Sequence, residues 1–155
     1  MDPDDLRGAV RWLAGESDLT DVDYVLGIPE GGYLPAYAFA AETGLRLVLA
    51  TIWQPDAAGV ISFCQDHDRL PLGGKHVLGL SAGEKVIVVE DEVTSGWTII
   101  NCVRALRAAG VHCDQVATIY AAADPAMRAR FVAEGIRFHA VALCEPSTTS
   151  ALYRR

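Results

Sequence analysis

Apolar positions along the 155-residue chain alternate between two periods. Over 4–14, Leu6, Ala9, Val10 and Leu13 recur at helical spacing, and Trp12 on the same apolar side is expected in the core. Asp2 and Asp4 sit where a helix start favours negative charge. A short apolar run at 24–28 ends in a Pro/Gly-rich turn, Pro29-Glu30-Gly31-Gly32. A helix follows to about Glu42, with Leu34, Ala38 and Ala41 expected against a sheet and Gly44 as its C-cap. Strands are expected at 45–50, 85–89, 115–121 and 136–143, and helices at 98–109 and 125–133. Residues 53–82 break the rhythm with glycines and prolines and read as a long loop, functional or mobile, with a two-stranded flap at 59–64 and 76–80. The alternation implies a single α/β domain over 1–155: an open, mostly parallel sheet with helices on both faces. Ligands of such sheets bind beyond the carboxyl ends of the strands, which here selects the turns after Ile28, Ala50 and Val89.

Composition narrows the class. The chain is 51% hydrophobic and 21% charged, a compact globule rather than a disordered chain. Its net charge of −7 and lack of a basic stretch weigh against nucleic-acid and anionic-membrane partners. The acidic N-terminus has no signal-peptide order, and no apolar run reaches the roughly 20 residues of a membrane-spanning helix. Cys64, Cys102, Cys113 and Cys144 form no CxxC pair, which argues against zinc and for reduced thiols in a cytoplasmic protein.

The informative stretch is 86–98. Four β-formers, Val86 to Val89, lead into Glu90, Asp91 and Glu92, then a Thr94-Ser95-Gly96-Trp97-Thr98 loop enters a helix. Small residues let the backbone approach an anion, successive amides converge, and the helix adds its positive end. Glu90 and Asp91 suit sugar hydroxyls or a Mg²⁺ shell. A phosphate cradle beside a hydroxyl-binding acidic pair describes a sugar phosphate. The segment has neither GxxxxGK[ST] nor GxGxxG, so it is not a nucleoside-triphosphate P-loop or a dinucleotide fingerprint.

This stretch resembles the signature of the type I phosphoribosyltransferases, which bind 5-phosphoribosyl 1-pyrophosphate. Residues 25–32 sit where that family has its pyrophosphate loop, 61–80 where it has a flexible loop that closes over the site, and 82–85 match its adenine and xanthine branch. The resemblance implies that Glu90 and Asp91 hold the ribose 2- and 3-hydroxyls and serve Mg²⁺. It implies that Val93, Thr94, Ser95, Gly96, Trp97 and Thr98 wrap the 5-phosphate, and that Gly31 and Gly32 offer amides to pyrophosphate. The expected reaction is Mg²⁺-dependent transfer of 5-phosphoribose to a purine-like base by a homodimer. Base choice is expected from a hood formed by 1–20 and 144–155, where Glu145 and Ser147 to Thr149 are candidates to bond the base.

Three departures mark the chain. Glu30 stands where the family usually has Arg or Lys, no base follows Leu49-Ala50-Thr51-Ile52-Trp53, and the flexible loop carries Gln65-Asp66-His67-Asp68 instead of a Glu near an aromatic residue. A carboxylate facing a polyanion is repulsive unless a cation lies between. Arg69, Lys75, His76 or a partner subunit is therefore a candidate for the missing charge. Alternatively the ligand is a nucleotide, and the protein cleaves or exchanges its glycosidic bond, or binds ribosyl phosphates without catalysis. Asp66 and His67 are candidate acid/base groups, an imidazole near neutral pKa beside a carboxylate, or else a solvated flap. Trp53 and Phe63 wall a base pocket or join the core. His76, His112 and His139 are expected at the surface or at strand ends.

Overall fold

The computed structural model describes residues 2–65 and 74–144. Eleven elements alternate in the expected sense: α1 Pro3–Glu16, β1 Tyr24–Gly27, α2 Tyr33–Thr43, β2 Arg46–Leu49, β3 Ile61–Cys64, β4 Gly74–Val77, β5 Lys85–Val93, α3 Trp97–Ala108, β6 His112–Ala122, α4 Pro125–Ala133 and β7 Arg137–Cys144. Local chemistry sets their ends. Asp2 caps α1 by accepting the Asp4 N–H at 2.8 Å, and Asp124 caps α4 through the Ala126 N–H. Gly44 closes α2 in the left-handed region, φ 74°, where a side chain is disfavoured.

The main sheet runs β2-β1-β5-β6-β7 with every pairing parallel. Valine-rich β5 lies in the middle and is buried on both faces, as a central parallel strand must be. One face packs Leu6, Val10 and Leu13 of α1 with Phe39 of α2 over Val25, Ile87 and Val89. The other packs Ile99, Val103 and Leu106 of α3 with Met127 and Phe131 of α4 over Leu26, Val86 and Val88. From β1 the chain steps outward to β2, and from β5 it steps the other way to β6 and β7. The order therefore reverses between β1 and β5, and a crevice opens at their carboxyl ends.

Several expectations need correction. Strand β5 does not stop at Val89: Glu90, Glu92 and Val93 remain paired to Thr118, Tyr120 and Ala121 of β6, so the acids belong to a strand rather than a turn. Trp12 is 46% exposed, because the buried stripe of α1 is Leu6, Val10 and Leu13. In α2 the sheet-facing residues are Pro35, Ala36, Phe39 and Ala40, while Leu34 is exposed. With apolar residues on every side of this short helix, periodicity did not define its inward face.

The stretch 53–82 is also more ordered at its ends than a loop. β3 and β4 pair antiparallel, with Phe63 opposite Lys75, and the second strand lies at Gly74–Val77 rather than 76–80. Ile61, Phe63, Val77 and Leu80 join the core, which settles Phe63 as a packing residue, whereas Trp53 is exposed. His76 is buried rather than at the surface: its Nδ1 lies 2.8 Å from Ser62 Oγ, and its backbone exchanges hydrogen bonds with Thr51. The first twenty residues place α1 on the sheet beside α2. The rest of the expected hood, 145–155, lies outside the described residues.

Candidate functional site

At the crevice between β1 and β5, three chain segments converge on a cleft of about 310 Å³. The turn after β1 supplies Ile28 to Gly31, the end of β5 supplies Glu90 to Val93, and the loop into α3 supplies Thr94, Ser95, Gly96 and Thr98. Gln65 and Lys75 close the remaining side from the β3–β4 ribbon. Parallel pairing explains the convergence. Gly27 and Val89 are register partners, so the turn leaving β1 and the acids leaving β5 start from the same level of the sheet.

The turn after β1 lies hard against the acids. A methyl group on Gly31 would fall inside the Asp91 carboxylate, and one on Gly32 would stand 2.6 Å from Glu90 Oε1. Glycine is needed here for close approach rather than for its backbone freedom.

Glu90 is 8% exposed, and its Oε1 accepts the Asp91 N–H at 3.0 Å. Burial pushes its carboxyl up to about 9, and its side-chain bond with Asp91 and the Asp91 charge push the same way. The Asp91 N–H and the Lys75 ammonium oppose that rise. Without a further cation the site thus favours an uncharged Glu90.

The loop into α3 is built differently. Gly96, at φ 80°, caps the helix without a side-chain hydrogen bond, and Ser95 Oγ accepts the Trp97 N–H at 3.4 Å. Helix α4 braces this turn from behind. Arg130 donates to the Ser95 carbonyl at 2.8 Å and sets its guanidinium 5.2 Å from the centre of the Trp97 ring. A Cβ on Gly96 would lie 3.0 Å from Met127 and from Phe131. The Thr98 hydroxyl donates to the Gln65 carbonyl, tying the α3 entry to the end of the β3–β4 ribbon.

Of the residues expected in the site, Gly31, Glu90, Asp91, Val93, Thr94, Ser95, Gly96 and Thr98 line the cleft. Gly32 is buried behind the turn, and Trp97 packs under Arg130 instead of lining the cleft. Asp66 and His67 lie outside the described residues, as does Arg69. Sequence reasoning missed Arg130, which lies 35 residues from the carbonyl it holds. The one signal was a pair of arginines, Arg128 and Arg130, in the helix between β6 and β7. His112 is exposed at the start of β6, and His139 is half-buried on β7; neither lines the cleft.

Lys75 is the one cation among the described lining residues. The residue is 3% exposed, and its ammonium donates to the Pro29 carbonyl at 2.8 Å. Burial lowers its pKa, while the negative charges of Glu90 and Glu30 hold it up.

Among the described residues no group of three His, Cys, Asp or Glu side chains is gathered to hold a metal. The cleft offers instead two adjacent carboxylates, Glu90 and Asp91. That donor set suits a hard cation such as Mg²⁺, which completes its shell with water and substrate oxygens. No helix of the described residues is long and apolar enough to cross a membrane.

The phosphoribosyl transferase domain model matches residues 4–141. A hypoxanthine/guanine phosphoribosyltransferase of Methanosarcina barkeri is 27% identical over 119 residues, 77% of this chain and 62% of the relative. An adenine phosphoribosyltransferase of Synechococcus is 31% identical over 103 residues, 63% of this chain and 57% of the relative. The chain thus spans about three-fifths of the length of these relatives. The crystal structure of the adenine phosphoribosyltransferase of Thermoanaerobacter pseudethanolicus superposes with a TM-score of 0.75 at 15% identity, covering 92% of this chain and 82% of that one. That likeness establishes the shared fold.

Proposed function

The chain belongs to the phosphoribosyltransferase family, and we propose that it moves 5-phosphoribose from 5-phosphoribosyl 1-pyrophosphate to a purine-like or related heterocyclic base, releasing pyrophosphate. The observation that carries this reading is the convergence of the Glu90–Asp91 carboxylates, the 94–96 turn and the Gly31 turn on one cleft at the point where strand order reverses.

In this reading the amides and hydroxyls of 93–98 grip the 5-phosphate, and Arg130 keeps that turn in place from behind. The Asp91 and Glu90 carboxylates accept hydrogen bonds from the ribose hydroxyls and so fix the sugar with its anomeric carbon toward the base. Gly31 brings backbone close to the leaving group. The bond from the anomeric carbon to pyrophosphate oxygen breaks as the base nitrogen closes on the opposite face, through an oxocarbenium-like state. Positioning and charge stabilisation of the leaving group supply the rate. Mg²⁺, when bound at the two carboxylates, supplies positive charge against the departing pyrophosphate.

A second reading, cleavage or exchange of a nucleotide's glycosidic bond or its non-catalytic binding, draws on one observation: Glu30 at the mouth of the cleft, where a polyanion would meet a carboxylate. A homodimer is part of the proposal. Leu34 and Tyr37 of α2, with Leu49 at the end of β2 and Ile52 and Trp53 after it, are large exposed apolar side chains of the kind such contacts bury. Light scattering in solution checks that state.

The test is incubation with 5-phosphoribosyl 1-pyrophosphate, Mg²⁺ and a panel of purines and pyrimidines, with chromatographic detection of nucleotide. Formation of one nucleotide with stoichiometric pyrophosphate is expected. Absence of product from every base, with hydrolysis of an added nucleotide, moves the assignment to the second reading.

A further inference from the structure

We propose that Lys75 is the pyrophosphate-binding cation of this protein, a charge that reaches the cleft from the β3–β4 ribbon instead of from the turn after β1. The inference rests on the transferase reading above and names the group that makes its pyrophosphate half workable despite Glu30.

Four observations carry it. Lys75 lines the cleft, and it is the only cationic side chain among the described residues that does so. The residue is 3% exposed, and lysines are almost never buried to that degree without partners. An ammonium has three donors, and the described residues offer it one acceptor, the Pro29 carbonyl at 2.8 Å. That carbonyl belongs to the turn expected to face pyrophosphate, so the ammonium already stands against that turn.

The geometry also explains the position of Lys75 in the ribbon. Phe63, its partner across β3 and β4, is in the core, and Val77 on the same face of β4 is fully buried. A lysine on this inward face sends its stem along apolar surface and its head to the nearest polar space, which is the cleft. Nothing in packing requires a charge there. A methionine would fill the same volume without the cost of burying an ammonium. An anion in the cleft gives the charge a purpose, because a polyphosphate oxygen satisfies the remaining N–H donors through charge-assisted bonds. Burial lowers the Lys75 pKa and the Glu90 and Glu30 carboxyls oppose that fall, so an anion in the cleft is the partner that favours the charged form.

The proposal makes a selective prediction. Lys75 serves the pyrophosphate and leaves the ribose 5-phosphate contacts to 90–98. Calorimetric titration with 5-phosphoribosyl 1-pyrophosphate and, separately, ribose 5-phosphate, both in Mg²⁺, reads the two halves independently. Lys75→Met is expected to weaken the pyrophosphate compound by at least about tenfold, the range for losing a hydrogen bond to a charged group. Ribose 5-phosphate affinity is expected to stay within about twofold. Lys75→Met/Glu30→Lys, which moves the cation to the turn after β1, is expected to recover most of the loss.

Unchanged affinity for the pyrophosphate compound in folded Lys75→Met overturns the assignment, as does an equal loss for both ligands. Glu30→Gln alters only the turn and guards against a folding defect in the first variant. It is expected to tighten the pyrophosphate compound about threefold or more by relieving repulsion beside Lys75, and an unchanged or weaker affinity overturns the proposal. Wild-type protein that binds ribose 5-phosphate but not the pyrophosphate compound overturns the transferase reading and the Lys75 role together. Wild-type protein that binds both, with Lys75→Met doing so equally well, overturns the Lys75 role alone.

Discussion

The two ends of the cleft are built on different plans. The end proposed to take the 5-phosphate, 93–98, is one continuous stretch of chain, held by a helix start, a left-handed glycine and a guanidinium behind it. It carries no acidic side chain between Val93 and Thr98. The opposite end is assembled from segments far apart in sequence: Pro29 and Lys75, joined by a hydrogen bond, are 46 residues apart, and Glu90 approaches them from a third strand. It buries two titratable groups, Glu90 and Lys75. A contiguous end can be complete before a ligand arrives. An end that buries a carboxyl and an ammonium from separate segments depends on the fold to bring them together.

The difference can be broken most forcefully through Glu90. Its folded-state carboxyl titrates near 9, above its ordinary 4.5. The folded protein therefore holds more protons than the unfolded chain between those values, and the ligand-free protein loses stability as pH rises from about 4.5 toward 9. The slope reaches as much as about 1.4 kcal/mol per pH unit. Lys75, whose pKa is lowered by burial, acts oppositely above its folded value, where rising pH favours the folded state. Urea denaturation from pH 5 to 8 is expected to show stability falling, and Glu90→Gln, uncharged throughout, is expected to flatten the slope and be the more stable protein at pH 8. An identical slope in both proteins would place Glu90 in water.

Asp91→Asn sharpens the contrast in affinity. Losing a charged acceptor for the ribose hydroxyls costs about 1.5–3 kcal/mol, or roughly 10- to 150-fold, for ribose 5-phosphate and its pyrophosphate alike, with little change in melting temperature. Unaltered binding of both would remove Asp91 from the site.

Glycine substitutions separate the two plans further. Gly96→Ala places a side chain at φ 80° and 3.0 Å from Met127 and Phe131, and is expected to cost about 1–3 kcal/mol of stability together with phosphate affinity. The atoms nearest a methyl in Gly31→Ala belong to the Asp91 carboxylate, the free end of a side chain. It is expected to weaken ribosyl phosphate binding at nearly unchanged stability. Thermal melts paired with titrations distinguish them.

Arg130→Ala is the mildest change. Loss of the bond to Ser95 and the contact with Trp97 is worth about 1 kcal/mol, seen as a severalfold rise in both dissociation constants at a constant ratio between the two ligands. Arg130→Lys is expected to recover part of it. A changed ratio would mean that Arg130 acts on the pyrophosphate end.

The same contrast governs what could be read in the sequence. That 93–98 follows a strand and its acids and enters a helix was legible because these parts are consecutive in the chain, and the helix over 125–133 was expected from its own local pattern. The other end was not. Lys75 stood as one of several candidate cations, and only the pairing of Phe63 with Lys75 and the packing of Val77 turn its face inward. The continuation of β5 through Glu90 to Val93 depends on β6 offering partners, which no local signal around Glu90 announces. Trp12 and Leu34 were misplaced for a similar reason. A large apolar residue reads as core in a helix, but burial depends on which face meets the sheet.

The most direct test is calorimetric titration of the wild-type protein with 5-phosphoribosyl 1-pyrophosphate, with and without Mg²⁺, against ribose 5-phosphate. The account predicts that both ligands bind, that the pyrophosphate compound binds more tightly, and that Mg²⁺ strengthens it selectively. Absence of binding by either ligand would contradict the assignment of Glu90, Asp91 and 93–98 as a ribosyl phosphate site.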